Sequence, residues 1–426
     1  MDLLRMVSLA PSSVPMSKES LQSELTRMID SSELPKDSYK THAFCQPLSL
    51  ADDCEQRGAF DSLVEHYFVE SKGNAKKLGQ YRRHIELILL NLAQNVVKRN
   101  WLLLSGNPPD FKAGRLLNYC GITSFDHARQ FLRFLQSNRL LIVKQGKAYE
   151  NGHTLNRYWP TKALAHELAP YGLYAEARYQ PPYLRINQPD AIYEDFHYNK
   201  EHLDIVPLIE INDFAKNHRW ACKAPIVQVF KENPFSVGRL ITPFQNLPTR
   251  EFNIRKQTLI DGEALIETDL NANHLRLFLA THKEPCSADD PYLELAEISN
   301  TTRDEVKGFI NVGLNSTHFR QAQGAALGEW NVSYTASQAI YRAFKTRYPK
   351  LKLLCGFGTS AMAHEGMILR NVILKGVKDG ILALPIHDAI ATKQTNKDWA
   401  KETLLREWYQ WVKQLDCKAR THVAQN

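Results

Sequence analysis

No two cysteines in this chain are spaced as Cys-x-x-Cys. The seven that occur, Cys45, Cys54, Cys120, Cys222, Cys286, Cys355 and Cys417, are scattered along 426 residues. That argues against a zinc site and fits a reducing cytoplasm. Long apolar runs are missing too. The start, MDLLRMVSLAPSSVPMS, holds only a short apolar patch and no later stretch approaches a membrane span, so a soluble, unexported protein is expected. Repeats and low-complexity segments are absent. What remains is an ordinary globular composition, 43% hydrophobic, sufficient for one large or two to three modest cores.

Charge is distributed unevenly behind a net of +7. Residues 1–70 carry 6 Lys+Arg against 12 Asp+Glu, a net of −6, whereas residues 71–170 carry 16 against 5, a net of +11. The second block is therefore the candidate nucleic-acid surface. Within the first, KESLQSELTRMI predicts a short helix with a narrow stripe of Leu21, Leu25 and Met28, suited to packing on its own domain or on a partner protein.

The basic block predicts a helix over 78–99, a short helix at KAGRLLNYC, and a third at FDHARQFLRFLQSN capped by Ser124. LLIVKQ then reads as a strand, KAYENGHT as a turn and LNRYWPT as a returning strand. Helices followed by a hairpin are the layout of a winged helix-turn-helix domain. Its third helix would offer His127, Arg129, Gln130 and Arg133 to DNA, and its wing Lys144, Lys147 and Arg157. Winged helices also serve as docking modules, and no base-reading code is visible.

Two acidic positions organise the second half. Asp269 follows the strand-like run Ala264–Thr268, where a carboxylate faces a cleft rather than a core. Asp388, with His387, interrupts the apolar alternation of GILALPIHDAIATKQ, the pattern of a hairpin with an acidic turn. Carboxylates from two separate strands can hold two Mg²⁺ ions, which activate an attacking hydroxyl and stabilise departing pyrophosphate. Between them, TTRDEVKGFINVGLN places Arg303 and Lys307 four residues apart on one helical face, a clamp for a triphosphate.

These segments resemble motifs A, B and C of the family A (DNA polymerase I-like) polymerases, in the same order. Upstream, Gly238, Arg239, Leu240, Gln245, Asn246, Leu247, Pro248 and Arg250 are similar to the family's Gly-Arg-Leu, Gln-Asn-Ile-Pro and Arg positions. Motif A is matched by Asp269, His274, Leu275 and Arg276; AIYRAFKTRYPKL and GTSAMAHEGMILRNVIL resemble the Arg-Tyr-Pro helix end and the helix leading into motif C. The match covers roughly Ser236 to Lys393.

The resemblance implies an α+β fold, a right-hand palm with reduced helical fingers behind the winged helix. Together with the charge pattern and the helix-and-hairpin layout, it divides the chain into an acidic N-terminal region 1–70, a basic winged-helix domain 71–170, a connector or vestigial thumb 171–235, and palm with short fingers 236–426. It implies catalytic, metal-binding Asp269 and Asp388, two Mg²⁺ with Mn²⁺ as a substitute, and nucleotide contacts from Arg303, Lys307, His274, Asn311 and Asn315. Primer and template would meet Arg239, Gln245, Asn246, Arg250 and His387, with Arg129 and Arg133 on the upstream DNA. Compact polymerases of this type occur on staphylococcal cassette chromosomes, plasmids and phages, where they act with a partner as primases.

Departures from the pattern bear on the sugar. His274 stands where the family carries Glu to exclude a ribose 2′-hydroxyl, Asn315 where it ends motif B in Tyr, Asn311 where it has an aromatic, and Ala389 where DNA polymerases tend to have Glu. The gate is smaller and more polar, so dNTPs and ribonucleotides are both candidate substrates. No proofreading exonuclease constellation is found, and the sixty residues before the palm look too short for a full thumb. The other reading is a DNA-binding replication initiator with a vestigial palm. A single-subunit RNA polymerase would need a promoter-reading domain for which the chain has no room.

Overall fold

The computed structural model describes residues 7–9, 18–31, 34–37, 41–51, 53–73, 75–112, 120–146, 155–179, 183–187, 205–231, 237–249, 251–286 and 289–423. Over these the chain is a mixed α+β protein with predominantly antiparallel sheets.

The sheet that carries the site has five strands. Glu263–Leu270 lies between Val7–Leu9 and Ala389–Lys393, which pairs in turn with Leu384–Ile386, while Leu259–Ile260 doubles back on its start. Alternation fixes its orientation: Ile266, Thr268 and Leu270 are buried, Glu267 and Asp269 half-buried on the other face. Helices Gly358–Asp379 and Lys397–Val423 pack against it. The first buries Ala361, Ile368, Leu369, Val372 and Ile373 at helical spacing, each large side chain contributing about 1.5–3 kcal/mol. The second buries Leu404, Leu405 and Trp408 and runs to Val423.

Helices Pro291–Ser299, Arg303–Asn315, Phe319–Trp330 and Tyr334–Arg347 form a separate core around Phe309, Ile340 and Phe344. Arg303–Asn315 starts with a capping box, Thr302 accepting from the Glu305 amide while the Glu305 carboxylate accepts from the Thr302 amide. Such a box is worth about 1 kcal/mol and fixes where the cationic face begins.

The amino-terminal unit has its own core. Helices Arg57–Ser71, Leu78–Lys98, Phe125–Ser137 and Lys162–Gly172 cover a sheet in the order His42–Phe44, Trp101–Ser105, Leu155–Pro160, Leu141–Lys144. The expected helix and antiparallel hairpin are both present, with the hairpin extended by Trp101–Ser105. The helix expected at KAGRLLNYC, the turn at KAYENGHT and Lys147 lie outside the described residues. Lys162–Gly172 was not expected. It sits against Leu78–Lys98 so closely that a Cβ at Gly172 would stand 2.3 Å from the Ala93 carbonyl oxygen.

The acidic segment 1–70 divides between these bodies. Val7–Leu9 is an edge strand beside Leu270–Thr268, and helix Lys18–Asp30 buries Leu25 and Met28 in the same core as the five-stranded sheet. Residues 42–71 belong to the amino-terminal unit.

Candidate active site

Strand geometry brings the two acidic positions together. Asp269 is the last but one residue of its strand and pairs with Ala389, the residue after Asp388. Ile386 pairs with Ala389, so His387 and Asp388 form a two-residue turn, with His387 at φ +53°. A non-glycine residue held there costs on the order of 1 kcal/mol, and such positions cluster at functional sites. Both carboxylates open into a cavity of about 690 Å³.

Arg239, His274, Arg303, Lys307, Asn311 and His387 line the same cavity. Eight positions expected from the sequence therefore meet in one place. The cations differ in their commitments. Arg303 donates Nε to Asp290 Oδ2 at 2.6 Å, whereas Lys307, half-buried, has no ion-pair partner among the described residues. The Asn311 side-chain oxygen accepts from the Tyr292 hydroxyl at 3.1 Å.

Burial disfavours the ionised form of both carboxylates. Burial, and then the neighbouring Asp388, push Asp269 up to about 8, against the pull of the Leu270 amide and Lys307. Burial and the nearby Glu365 push Asp388 up to about 6. Two acids whose charged forms are disfavoured by burial and by neighbouring carboxylates form a site that gains from a cation. Asp269 Oδ1 is buried without a hydrogen-bond partner among the described residues. Such oxygen atoms suit a hard divalent ion. Among the described residues no group of three or more His, Cys, Asp or Glu is placed to hold a metal. An ion here would take two protein carboxylates and complete its shell from water and substrate, a sparse arrangement that Mg²⁺ tolerates.

Behind the cavity, Glu365 is 1% exposed and gathers three donors. Its Oε1 accepts from Arg239 Nε at 3.0 Å, and its Oε2 from His274 Nε2 at 2.9 Å and Asn273 Nδ2 at 3.4 Å. Despite burial, His274 and Arg239 hold its carboxyl below the ordinary value. A glycine permits the approach: a Cβ at Gly366 would stand 2.0 Å from the Gly238 carbonyl oxygen. Sequence reasoning missed Glu365, and also Asp290, Tyr292 and Trp330 on the cavity wall. Only GTSAMAHEGMIL, where one acid interrupts small and apolar residues, carried a signal.

Several expected contacts lie elsewhere. Asn315 does not line the cavity; its Oδ1 would meet a Cβ at Gly358, and its Nδ2 donates to the Asn311 carbonyl. Gln245 is buried in the short 3₁₀ turn Pro243–Asn246 with its carbonyl accepting from Arg255, and Asn246 is exposed; neither reaches the cavity wall. Arg250 lies outside the described residues.

On the upstream helix, Arg129 and Arg133 are exposed as expected. His127 and Gln130 are not available to DNA. His127 is buried edge-on to Tyr81 and His84, and Gln130 Nε2 donates to the Ser71 and Lys72 carbonyls. On the hairpin, Lys144 and Arg157 both pair with Asp37, at 3.2 and 3.1 Å, which offsets their charge. No helix among the described residues is long and apolar enough to cross a membrane, and the described cysteines are all free thiols.

No protein-family model matches this chain, no curated protein matches its sequence, and no solved structure matches its fold.

Proposed function

We propose that this chain is a template-directed nucleotidyltransferase of the family A type, a DNA polymerase or primase without proofreading that serves a mobile element, plasmid or phage. The observation that carries the reading is the convergence of Asp269, Asp388, Arg303 and Lys307 on one cavity from three separated stretches of sequence. The five-stranded sheet would be the palm, the four-helix body the short fingers, and the amino-terminal unit a winged helix.

In this reading Asp269 and Asp388 hold Mg²⁺, or Mn²⁺ in its place, which supplies activation of the attacking hydroxyl and charge neutralisation at the phosphates. Lys307 meets the triphosphate directly. Arg303 follows by exchanging or sharing Asp290. His387, exposed at the hairpin tip, and Arg239, braced by Glu365, are set for the primer terminus and template. Arg129 and Arg133 add a phosphate-binding surface. DNA, dNTPs and in principle rNTPs are the ligands, a replication partner protein would dock on the N-terminal region, and the setting is cytoplasmic.

The test is incorporation of labelled dNTPs and rNTPs with Mg²⁺ on single-stranded template, with and without an annealed primer. Products without primer identify a primase, and extension alone a polymerase that needs a partner to prime. No product in either case favours a DNA-binding initiator with a vestigial palm.

A further inference from the structure

Asp269 stands near the end of a strand that is paired on both sides. Ala389 faces it from one neighbour and Ser8 from the other, with Val7 opposite Leu270 and Leu9 opposite Thr268. Val7–Leu9 is the outermost strand of the sheet, so without it Thr268–Leu270 would itself be an open edge, at the point where it delivers its carboxylate to the cavity. The same amino-terminal segment is fastened to this body a second time. Helix Lys18–Asp30 sends Leu25 and Met28 into the core of the five-stranded sheet. Arg27 donates Nη2 to the Glu251 carbonyl at 2.8 Å and lies 4.7 Å from the centre of the Phe252 ring, while Glu24 Oε2 accepts from the Asn253 amide at 3.3 Å.

Pairing matters here because the strand end carries a repulsive load. Asp388 opposes the charge on Asp269, and the Leu270 amide donates to the Asp269 carboxylate. Repulsion between the two acids is relieved if the strand end splays from Ala389, and a ladder on the far side opposes that movement. It also fixes the backbone dihedrals of Thr268–Leu270, and with them the direction of the Asp269 side chain and of the Leu270 amide. We propose that Val7–Leu9 is a positioning strand, which holds the backbone of Asp269 where its carboxylate serves the metal site. It acts through main-chain hydrogen bonds and does not touch substrate. The inference rests on the nucleotidyltransferase reading and adds to that site an element from a distant part of the sequence.

The test uses the alternation of an antiparallel pair. Successive N–H groups of an edge strand point in turn at the partner strand and at solvent, so Val7 and Leu9 form one class and Ser8 the other. Proline removes one N–H, which an edge strand tolerates where that group faces outward and not where it faces the ladder. Val7→Pro, Ser8→Pro and Leu9→Pro are made in the full chain. The readouts are amide exchange at Thr268–Leu270 without metal, the rise in melting temperature on adding Mg²⁺, and kcat, nucleotide KM and half-saturating Mg²⁺ on a primed template. One class should speed exchange and cut kcat, each by about tenfold or more, raise the half-saturating Mg²⁺ and lose most of the Mg²⁺ shift, with KM within about threefold of wild type. The other class should match wild type. Three prolines that behave alike, whether harmless or uniformly damaging, overturn the proposal. Exchange that alternates while kcat and the Mg²⁺ shift do not overturns it as well, because the strand then only packs. If wild type incorporates nothing, the polymerase reading falls, and alternation of exchange together with the Mg²⁺ shift still decides the role of the strand. A wild type with neither incorporation nor an Mg²⁺ shift overturns both.

Discussion

Arg303 and Asp290 form an ion pair at 2.6 Å on the rim of the cavity, while Lys307, one helical turn further on, has no such partner among the described residues. The two cations that spacing alone makes equivalent are therefore inequivalent. Arg303 must give up or share a carboxylate to meet a phosphate; Lys307 need not.

Kinetics should register the difference. Lys307→Ala is expected to raise the nucleotide KM tenfold or more, about 1.4 kcal/mol or above, because it removes an unshared cation from a triphosphate site. Asp290→Asn, which frees Arg303, should lower KM or leave it unchanged. Steady-state KM values for the two variants check this, and a larger KM for Asp290→Asn than for Lys307→Ala contradicts it.

The raised acids predict a pH dependence of stability. Asp269 lies near 8 in the folded protein and near 3.8 unfolded, so between those values the folded state binds more protons, and metal-free stability falls as pH rises through that window. Asp269→Asn removes the penalty and should stabilise the metal-free protein at pH 8 by on the order of 1–2 kcal/mol, after discounting for water at the open site. The gain should vanish near pH 4. Denaturant melts at both pH values with chelator present provide the measurement, and Mg²⁺ should raise the wild-type melting temperature more at pH 8 than at pH 6.

Glu365 makes the opposite prediction. Its carboxyl is held below the ordinary value, so the stability it confers is present above the unfolded pKa and lost as pH falls through the lower folded value. Glu365→Leu strands Arg239 and His274 and should destabilise the protein by about 3 kcal/mol at neutral pH. Calorimetry showing an unchanged melting temperature would remove Glu365 as the organiser of the wall.

Much of the site was legible because its signals are local. Asp269 and Asp388 each sit at the end of a short alternating run, where strand periodicity predicts a cleft-facing acid, and Arg303 and Lys307 share a face through helical spacing. Glu365 was not legible, since its partners Arg239, Asn273 and His274 lie far away in sequence and its helix otherwise reads as a packing element. The edge strand Val7–Leu9 escaped for the same reason: its partner follows some 260 positions later. On Phe125–Ser137, polar residue type pointed His127 and Gln130 toward DNA, but tertiary packing turned them inward.

Arg129 and Arg133 remain exposed on that helix, and the expectation there concerns salt. Reversing both to Glu should weaken DNA binding and reduce the slope of log K against log salt by about two, one for each lost phosphate contact. Fluorescence anisotropy between 50 and 200 mM salt would show it; an unchanged slope assigns the helix to docking rather than to DNA.

The most direct measurement is nucleotide addition by Asp269→Ala and Asp388→Ala beside wild type, on a primed template with Mg²⁺, with DNA affinity measured in parallel. Both substitutions are expected to abolish addition while leaving DNA affinity within a few-fold of wild type. Retained synthesis in either variant would contradict the assignment of these two carboxylates as the catalytic pair.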